Sequence, residues 1–362
     1  MRIDWIVDRC NEVLFGIKAE KDPLESMTAK KLDRDLSEFA THGMLPVLME
    51  SLSSVRMADP EKKEVILKWY GAYEQSKKNY RKRLGLMEQL AVQFKNAGLD
   101  VMFLKGATTA QLYPDPQLRV FGDIDYYMFG ESAKSVQVLK GMGVKTEDYF
   151  NHHTQATFNG VLLENHYDFF DRQNHQSNLL LDDELKRLAA MEGHQYPFKF
   201  DNPEIDNAYS MTPTMNAIFL MRHMAGHFFS ETVALRMLYD WALFLKKCGS
   251  EVDWDLVTDL YEKSGMMSFV RMILAILESK LKLPIDTCPI EPLQGATTER
   301  IWDSILNPPA PDPYKHYSVK YMLYEAKVFL DNRWKHHVIY PNESYWKLFF
   351  VHAGLYLKKK IS

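Results

Sequence analysis

Cysteine is scarce in this chain. Only Cys10, Cys248 and Cys288 occur in 362 residues, far apart and odd in number. A disulfide framework and a thiolate zinc site are therefore not expected, and a reducing cytoplasm fits best. Long uncharged apolar runs are missing, so no segment has the length to span a bilayer. The opening Met-Arg-Ile-Asp-Trp-Ile-Val-Asp-Arg-Cys carries acids early and lacks an apolar h-region, which reads against a secretory signal peptide. Positive charge is not in surplus either. A net charge of −4 and a pI near 6.3 carry no strong nucleic-acid signal. The short basic stretch Lys358-Lys-Lys360 reads as a solvated helix end rather than a membrane or RNA contact. Repeats and low-complexity tracts are also lacking.

What is present is ordinary globular material. Hydrophobic residues make up 46% and charged residues 25%, enough for a sizeable core shared by two or three domains. Residues 1–98 read as a helical N-terminal region. Leu84, Met87, Leu90, Ala91 and Phe94 keep the i, i+3, i+4 period of an amphipathic helix, and Gly98 supplies its stop. The pattern then changes over 99–205. Val101–Leu104 is a short buried-strand run, and Ala107–Leu112 a short helix before a Pro-rich loop. Ile124–Phe129 is a second strand and Ser132–Gly141 a helix. Strands are expected at 144–150, 155–158 and 161–170, with Asn159-Gly160 as a hairpin turn. A mixed sheet with helices on one face accounts for this segment. Over 206–362 the helical period returns. Thr212-Pro213 opens helices at 217–229, 235–247, 254–263 and 267–281, and 317–330 and 344–358 follow a Pro-rich loop. The fold class is α+β.

The chemistry lies in Arg119-Val-Phe-Gly-Asp-Ile-Asp125. Residues i and i+2 of a strand share a face, so Asp123 and Asp125 point the same way. Two such carboxylates suit a hard cation such as Mg²⁺, whose remaining ligands are waters and phosphates. Taken alone, the spacing also describes a solvated strand end. Two neighbours raise its meaning. Phe103-Leu-Lys-Gly-Ala107 runs a strand into a helix, where free N–H groups of Gly106 and Ala107 and the Lys105 charge favour phosphate. On a later strand, Glu164 follows three apolar residues, and His166 shares its face. If Glu164 lies beside the aspartates, three carboxylates surround a metal site fit for in-line displacement at a phosphate. Arg119 reads as a phosphate contact in preference to a loop cation balancing the acids.

Leu104-Lys-Gly-Ala107, Leu112-Tyr-Pro-Asp-Pro116 and Arg119-x-x-Gly-Asp-Ile-Asp125 together resemble the uncharacterised nucleotidyltransferase family of the DNA polymerase β-like superfamily. The resemblance covers roughly residues 80–285 and continues into Arg222-His-Met-Ala-Gly-His227 and Leu235-Arg-Met-Leu-Tyr-Asp240. It implies a minimal nucleotidyltransferase sheet with flanking helices and Mg²⁺-dependent (or Mn²⁺-dependent) transfer of a nucleotide from an NTP. It makes Asp123, Asp125 and Glu164 metal ligands and catalytic residues, with Lys105, Gly106, Ala107, Arg119, His166 and Arg236 around the NTP. Ala107 stands where the wider superfamily often has Ser, which removes one hydroxyl contact to phosphate.

Arg236 and Asp240, at i and i+4, read first as a structural ion pair, with an Arg236–triphosphate contact as the alternative. His223 and His227 share that spacing but lack a third ligand, so they read as core or site-lining residues and only weakly as a hydrolase metal site. Two functions stand. One is an Mg²⁺-dependent nucleotidyltransferase acting on an unknown acceptor, whether a protein, a small molecule or an RNA end. The other is a nucleotide-binding or protein-interaction module on the same fold.

Overall fold

The computed structural model describes residues 4–18, 23–53, 55, 57–149, 152–173, 175–230, 232–308 and 319–347. Four helices come first: α1 (Asp4–Phe15), α2 (Ala29–Thr41), α3 (Leu45–Ser53) and α4 (Pro60–Asn96). The sheet segment follows as β1 (Val101–Phe103), α5 (Ala107–Ala110), β2 (Ile124–Tyr127), α6 (Ser132–Gly141), β3 (Thr146–Tyr149), β4 (His153–Phe158), β5 (Val161–His166), α7 (Gln176–Glu192) and β6 (Ala208–Ser210). Helices then return as α8 (Pro213–Ser230), α9 (Leu235–Cys248), α10 (Trp254–Lys263), α11 (Met267–Ser279), α12 (Ala296–Leu306), α13 (Val319–Asp331) and α14 (Arg333–Ile339). The fold is α+β, as its alternating patterns require. Most of the helix expected at 344–358 lies outside the described residues. No described helix is long and apolar enough to cross a membrane.

Local chemistry sets the ends of the 37-residue helix α4. Asp59 accepts from the N–H groups of Glu61 and Lys62, and Pro60 occupies the first turn, where a missing N–H costs nothing. At the other end Gly98, with φ +68°, lets Leu99 N–H reach the Phe94 carbonyl at 2.9 Å. Gly98 N–H reaches that of Lys95 at the same distance, which completes a Schellman stop. The Asn159-Gly160 turn has positive φ at both residues, +50° and +75°, as a tight two-residue hairpin demands.

The six strands run in the order β3-β4-β5-β2-β1-β6. β2 pairs in parallel with β5, and β1 with β6, while the other neighbours are antiparallel. One sheet face carries Val101, Phe103, Ile124, Tyr126 and Leu163, buried with Leu90, Phe94 and Leu139 under α4 and α6. The opposite face is covered as well. Met102, Leu104 and Tyr127 share a core with Leu181, Leu185 and Leu188 of α7 and with the N- and C-terminal helices. Helices therefore flank both faces, not one. Sequence reasoning assigned no helix to 176–192, because its apolar positions are diluted by Asp182, Asp183 and Glu184.

β5 also ends earlier than the apolar pattern suggested. Beyond His166 the backbone donors leave the ladder. Tyr167 and Asp168 N–H bond the His152 carbonyl at 3.0 and 3.1 Å, and Phe169 N–H bonds Asp182 Oδ1 at 2.6 Å. β4 in turn starts two residues sooner than expected, at His153.

Glu343 caps α7 from a distant part of the chain. Its carboxylate accepts from His175 Nδ1 at 2.8 Å, Ser177 N–H at 3.0 Å and Ser177 Oγ at 2.7 Å. Burial would raise its pKa, but these bonds prevail and lower it to about 2. A depressed carboxylate contributes stability that is present above its ordinary pKa and lost as pH falls towards 2. Glu343→Gln is expected to cost about 1–2 kcal/mol at pH 7 and much less near pH 3. Urea unfolding at the two pH values measures this; an equal cost at both would rule the carboxylate out as the cause.

Candidate active site

The parallel register of β2 and β5 builds the site. Asp125 pairs with Glu164, and Tyr127 with His166, so the side chains of Asp125, Glu164 and His166 project from one sheet face. The tight Asn159-Gly160 turn adds β4 in antiparallel register, placing Gln155 opposite Glu164 and His153 opposite His166. These pairings gather a polar cluster at the end of an otherwise apolar sheet. Ligand atoms of Asp125, Glu164 and His166 lie within 4.8 Å of one another.

Lys105, which follows β1, closes the cluster. Its Nζ is 3.2 Å from Asp125 Oδ2 and 3.5 Å from Asp123 Oδ2. Burial disfavours the ammonium, but Asp125, Asp123 and Glu164 outweigh that and raise its pKa. Asp123 is half-buried just before β2 and meets the cluster through Lys105. Asp125 is 2% exposed, and its buried Oδ2 has the Lys105 ammonium at 3.2 Å as an ion-pair partner but no hydrogen bond of good geometry. A buried carboxylate oxygen left in that state suits a cation.

The remaining charges follow from packing. His166 Nε2 lies 3.3 Å from Asp125 Oδ1 and 3.7 Å from Glu164 Oε2. Burial pushes the imidazole pKa down, yet hydrogen bonds to Asp125 and Glu164 overcome it and lift the value to about 9. Burial raises Glu164, but its bond to His166 and the charges of His153 and Lys105 bring it to about 2. Glu164 also accepts from Gln155 Nε2 at 3.1 Å.

A cleft of about 240 Å³ opens over this cluster. Its floor holds Lys105, Asp125, Glu164 and His166; its far wall is α8, with Arg222, His223, Gly226 and His227. His223 and His227 thus line the site, their rings edge-to-face at 4.6 Å. Neither joins a group of three potential metal ligands among the described residues. Burial, then the nearby Lys105 charge, holds His223 well below the usual imidazole range.

Gly106, Ala107, Arg119 and Arg236 are not in the cleft wall. Gly106 has φ +73°, and a Cβ there would meet Phe121 Cδ2 at 2.9 Å. Gly106→Ala is therefore expected to destabilise the fold by about 1–3 kcal/mol, read by urea unfolding; a neutral result would show the turn to be adaptable. Ala107 is fully buried in the core beneath the sheet. Arg119 is fixed in two bonds to Asp240, both 2.8 Å, and one to the Gly106 carbonyl at 3.0 Å. Tyr113 Oη also donates to Asp240, at 2.9 Å. Asp240 therefore pairs across the fold with Arg119 and not along its helix with Arg236. The Arg236 side chain has no ion pair or hydrogen bond among the described residues, and burial followed by the charge of Arg119 lowers its pKa.

Sequence reasoning passed over His152, His153, Gln155, Asn178 and the cleft role of Arg222. A signal existed for two of them. Counting back from a two-residue Asn159-Gly160 turn sets Gln155 against Glu164 and His153 against His166.

In this α+β fold the carboxylates of two parallel strands thus face the Lys105-Gly106 turn that follows β1. The chain belongs to a family described as uncharacterised nucleotidyltransferases, whose family model matches residues 29–281. No curated protein and no solved structure matches it.

Proposed function

We propose that the protein is an Mg²⁺-dependent nucleotidyltransferase that moves a nucleoside monophosphate from an NTP to an acceptor and releases pyrophosphate. The observation that carries this reading is the parallel β2–β5 register, which sets Asp125 beside Glu164 with a buried Asp125 oxygen lacking a hydrogen bond. The donor set is right for a hard cation, which takes oxygen ligands and keeps its waters. Asp123, Asp125 and Glu164 would hold it; Mn²⁺ takes the same ligands. When bound, Mg²⁺ neutralises charge developing on the phosphates.

The chain's own groups have separable tasks. Lys105, beside Asp123 and Asp125, would present its charge to the phosphates. Protonated His166 donates to Asp125 Oδ1 and fixes that carboxylate. Glu164, ionised at neutral pH with a pKa near 2, is too weak a base to take a proton well at pH 7. It orients an acceptor hydroxyl by accepting its hydrogen bond. Arg236 lies outside the cleft wall but within electrostatic range of Asp123, so it would add positive charge behind the site rather than a direct triphosphate contact.

The test is incubation of the purified chain with each α-labelled NTP, Mg²⁺ and a fractionated cell extract. Covalent label in one fraction with pyrophosphate release is expected. Tight NTP binding with no label transfer would favour the second reading, a nucleotide-binding module. Its supporting observation is Ala107, whose buried methyl offers no hydroxyl to phosphate.

A further inference from the structure

Beside the carboxylates lies a second cluster, which shares His166 with the transfer chemistry above. His152, His153 and His166 each offer a nitrogen, and these nitrogens lie within 4.8 Å of one another. Their ring centroids are 4.4 Å (152–153), 5.5 Å (152–166) and 5.3 Å (153–166) apart. The arrangement is built into the backbone. His153 and His166 are cross-strand partners of β4 and β5. The His152 carbonyl accepts from both Tyr167 and Asp168 N–H, which pins His152 to the end of β5.

Such a cluster is costly unless it binds something. His152 Nδ1 and His153 Nδ1 are buried and have no hydrogen-bond partner. Leaving a buried polar atom unsatisfied carries a desolvation penalty, and native folds rarely tolerate two side by side without a role for them. Three imidazoles at these distances cannot all carry protons, and the neutral ring is the form that ligates a metal.

We propose that His152, His153 and His166 bind one imidazole-seeking divalent transition metal, of the Zn²⁺ class, beside the carboxylate site. Imidazole suits Zn²⁺, Cu²⁺, Ni²⁺ and Fe²⁺, whereas Mg²⁺ takes hard oxygen ligands and holds its waters. Three protein nitrogens leave a tetrahedral ion one open position. The cleft, lined by His152 and His166, opens onto it. Glu164 flanks the site, with Oε1 3.8 Å from His153 Nε2 and Oε2 3.7 Å from His166 Nε2. His166 thus belongs to both clusters: as a ligand it would give up the proton that it otherwise donates to Asp125 Oδ1.

The experiment uses the full chain, without a polyhistidine tag and stripped of metal, titrated with Co²⁺ alone. Visible d–d bands saturating at one equivalent are expected. They should be abolished by equimolar Zn²⁺ and unaffected by millimolar Mg²⁺. The double variant H152N/H153Q should weaken Co²⁺ binding by at least about tenfold. Asp123→Asn, which removes a carboxylate but no imidazole, should leave it unchanged. Absence of a saturable band in the wild-type chain overturns the proposal, whether or not the variants fold. So does a band that persists undiminished in the double variant, which would assign the ion to another histidine pair. Nucleotide transfer is measured separately: transfer without Co²⁺ binding sinks only this site, and Co²⁺ binding without transfer sinks only the enzymatic reading.

Discussion

Asp125→Asn is expected to reduce label transfer from NTP by at least about 10²–10³-fold, the scale on which removing one preorganised charge-stabilising group acts. Asp125 is central to the cluster. One oxygen lies 3.3 Å from His166 Nε2, and the other faces Lys105 at 3.2 Å without a hydrogen bond. An asparagine of the same shape keeps the backbone bond from Leu104 N–H to the residue-125 carbonyl, at 3.0 Å in the parent chain. It removes the negative charge and turns one cation-facing oxygen into a donor beside an ammonium. The fold should therefore persist, checked by an unchanged cooperative thermal transition, while turnover disappears. Transfer at the parent rate in a folded Asp125→Asn protein would sink the proposed mechanism.

Arg119→Met is expected to be the most destabilising single change, at about 3–5 kcal/mol by urea unfolding. It strands a buried Asp240 carboxylate with Tyr113 as its remaining hydrogen-bond partner and leaves the Gly106 carbonyl without its guanidinium donor. Residues 119 and 240 are 121 apart in sequence, so the pair ties the strand-entry loop to α9. Adding Asp240→Leu should recover much of the loss, because two apolar groups replace a stranded charge. A single-variant cost below about 1 kcal/mol, or a double variant that shows no recovery, would mean that the pair is not a structural lock.

These residues show how far local reading reaches. The helix end at Gly98 and the hairpin at Asn159-Gly160 were legible because backbone chemistry within a few residues decides them. The Asp123–Asp125 step and Glu164 were legible as candidates because acids at those positions break an apolar strand pattern. The partners of Arg119 and Arg236 were not legible. At i, i+4 Arg236 and Asp240 look like a pair, and only long-range packing brings a second guanidinium to Asp240 in a forked geometry that satisfies both its oxygens. α7 escaped notice for a related reason. Asp182 is fully buried yet accepts from Phe169 N–H and pairs with Arg172 and Lys186, so a charge sits where a core-facing helix pattern expects an apolar residue.

By itself the sequence determined the fold class, most strand and helix positions, the family resemblance and the carboxylates that head the site. Each of these depends on side-chain type at fixed short spacing, which the periods of helix and strand translate directly into a face. The tertiary structure alone decided which charges meet. The parallel pairing of β2 with β5 set Asp125 against Glu164. Helix α8 arrived to wall the cleft, Lys105 settled between two aspartates, and His152 came to rest against the end of β5. Strand order and helix docking are fixed by the burial of apolar surface summed over the whole chain, and no local window contains that sum.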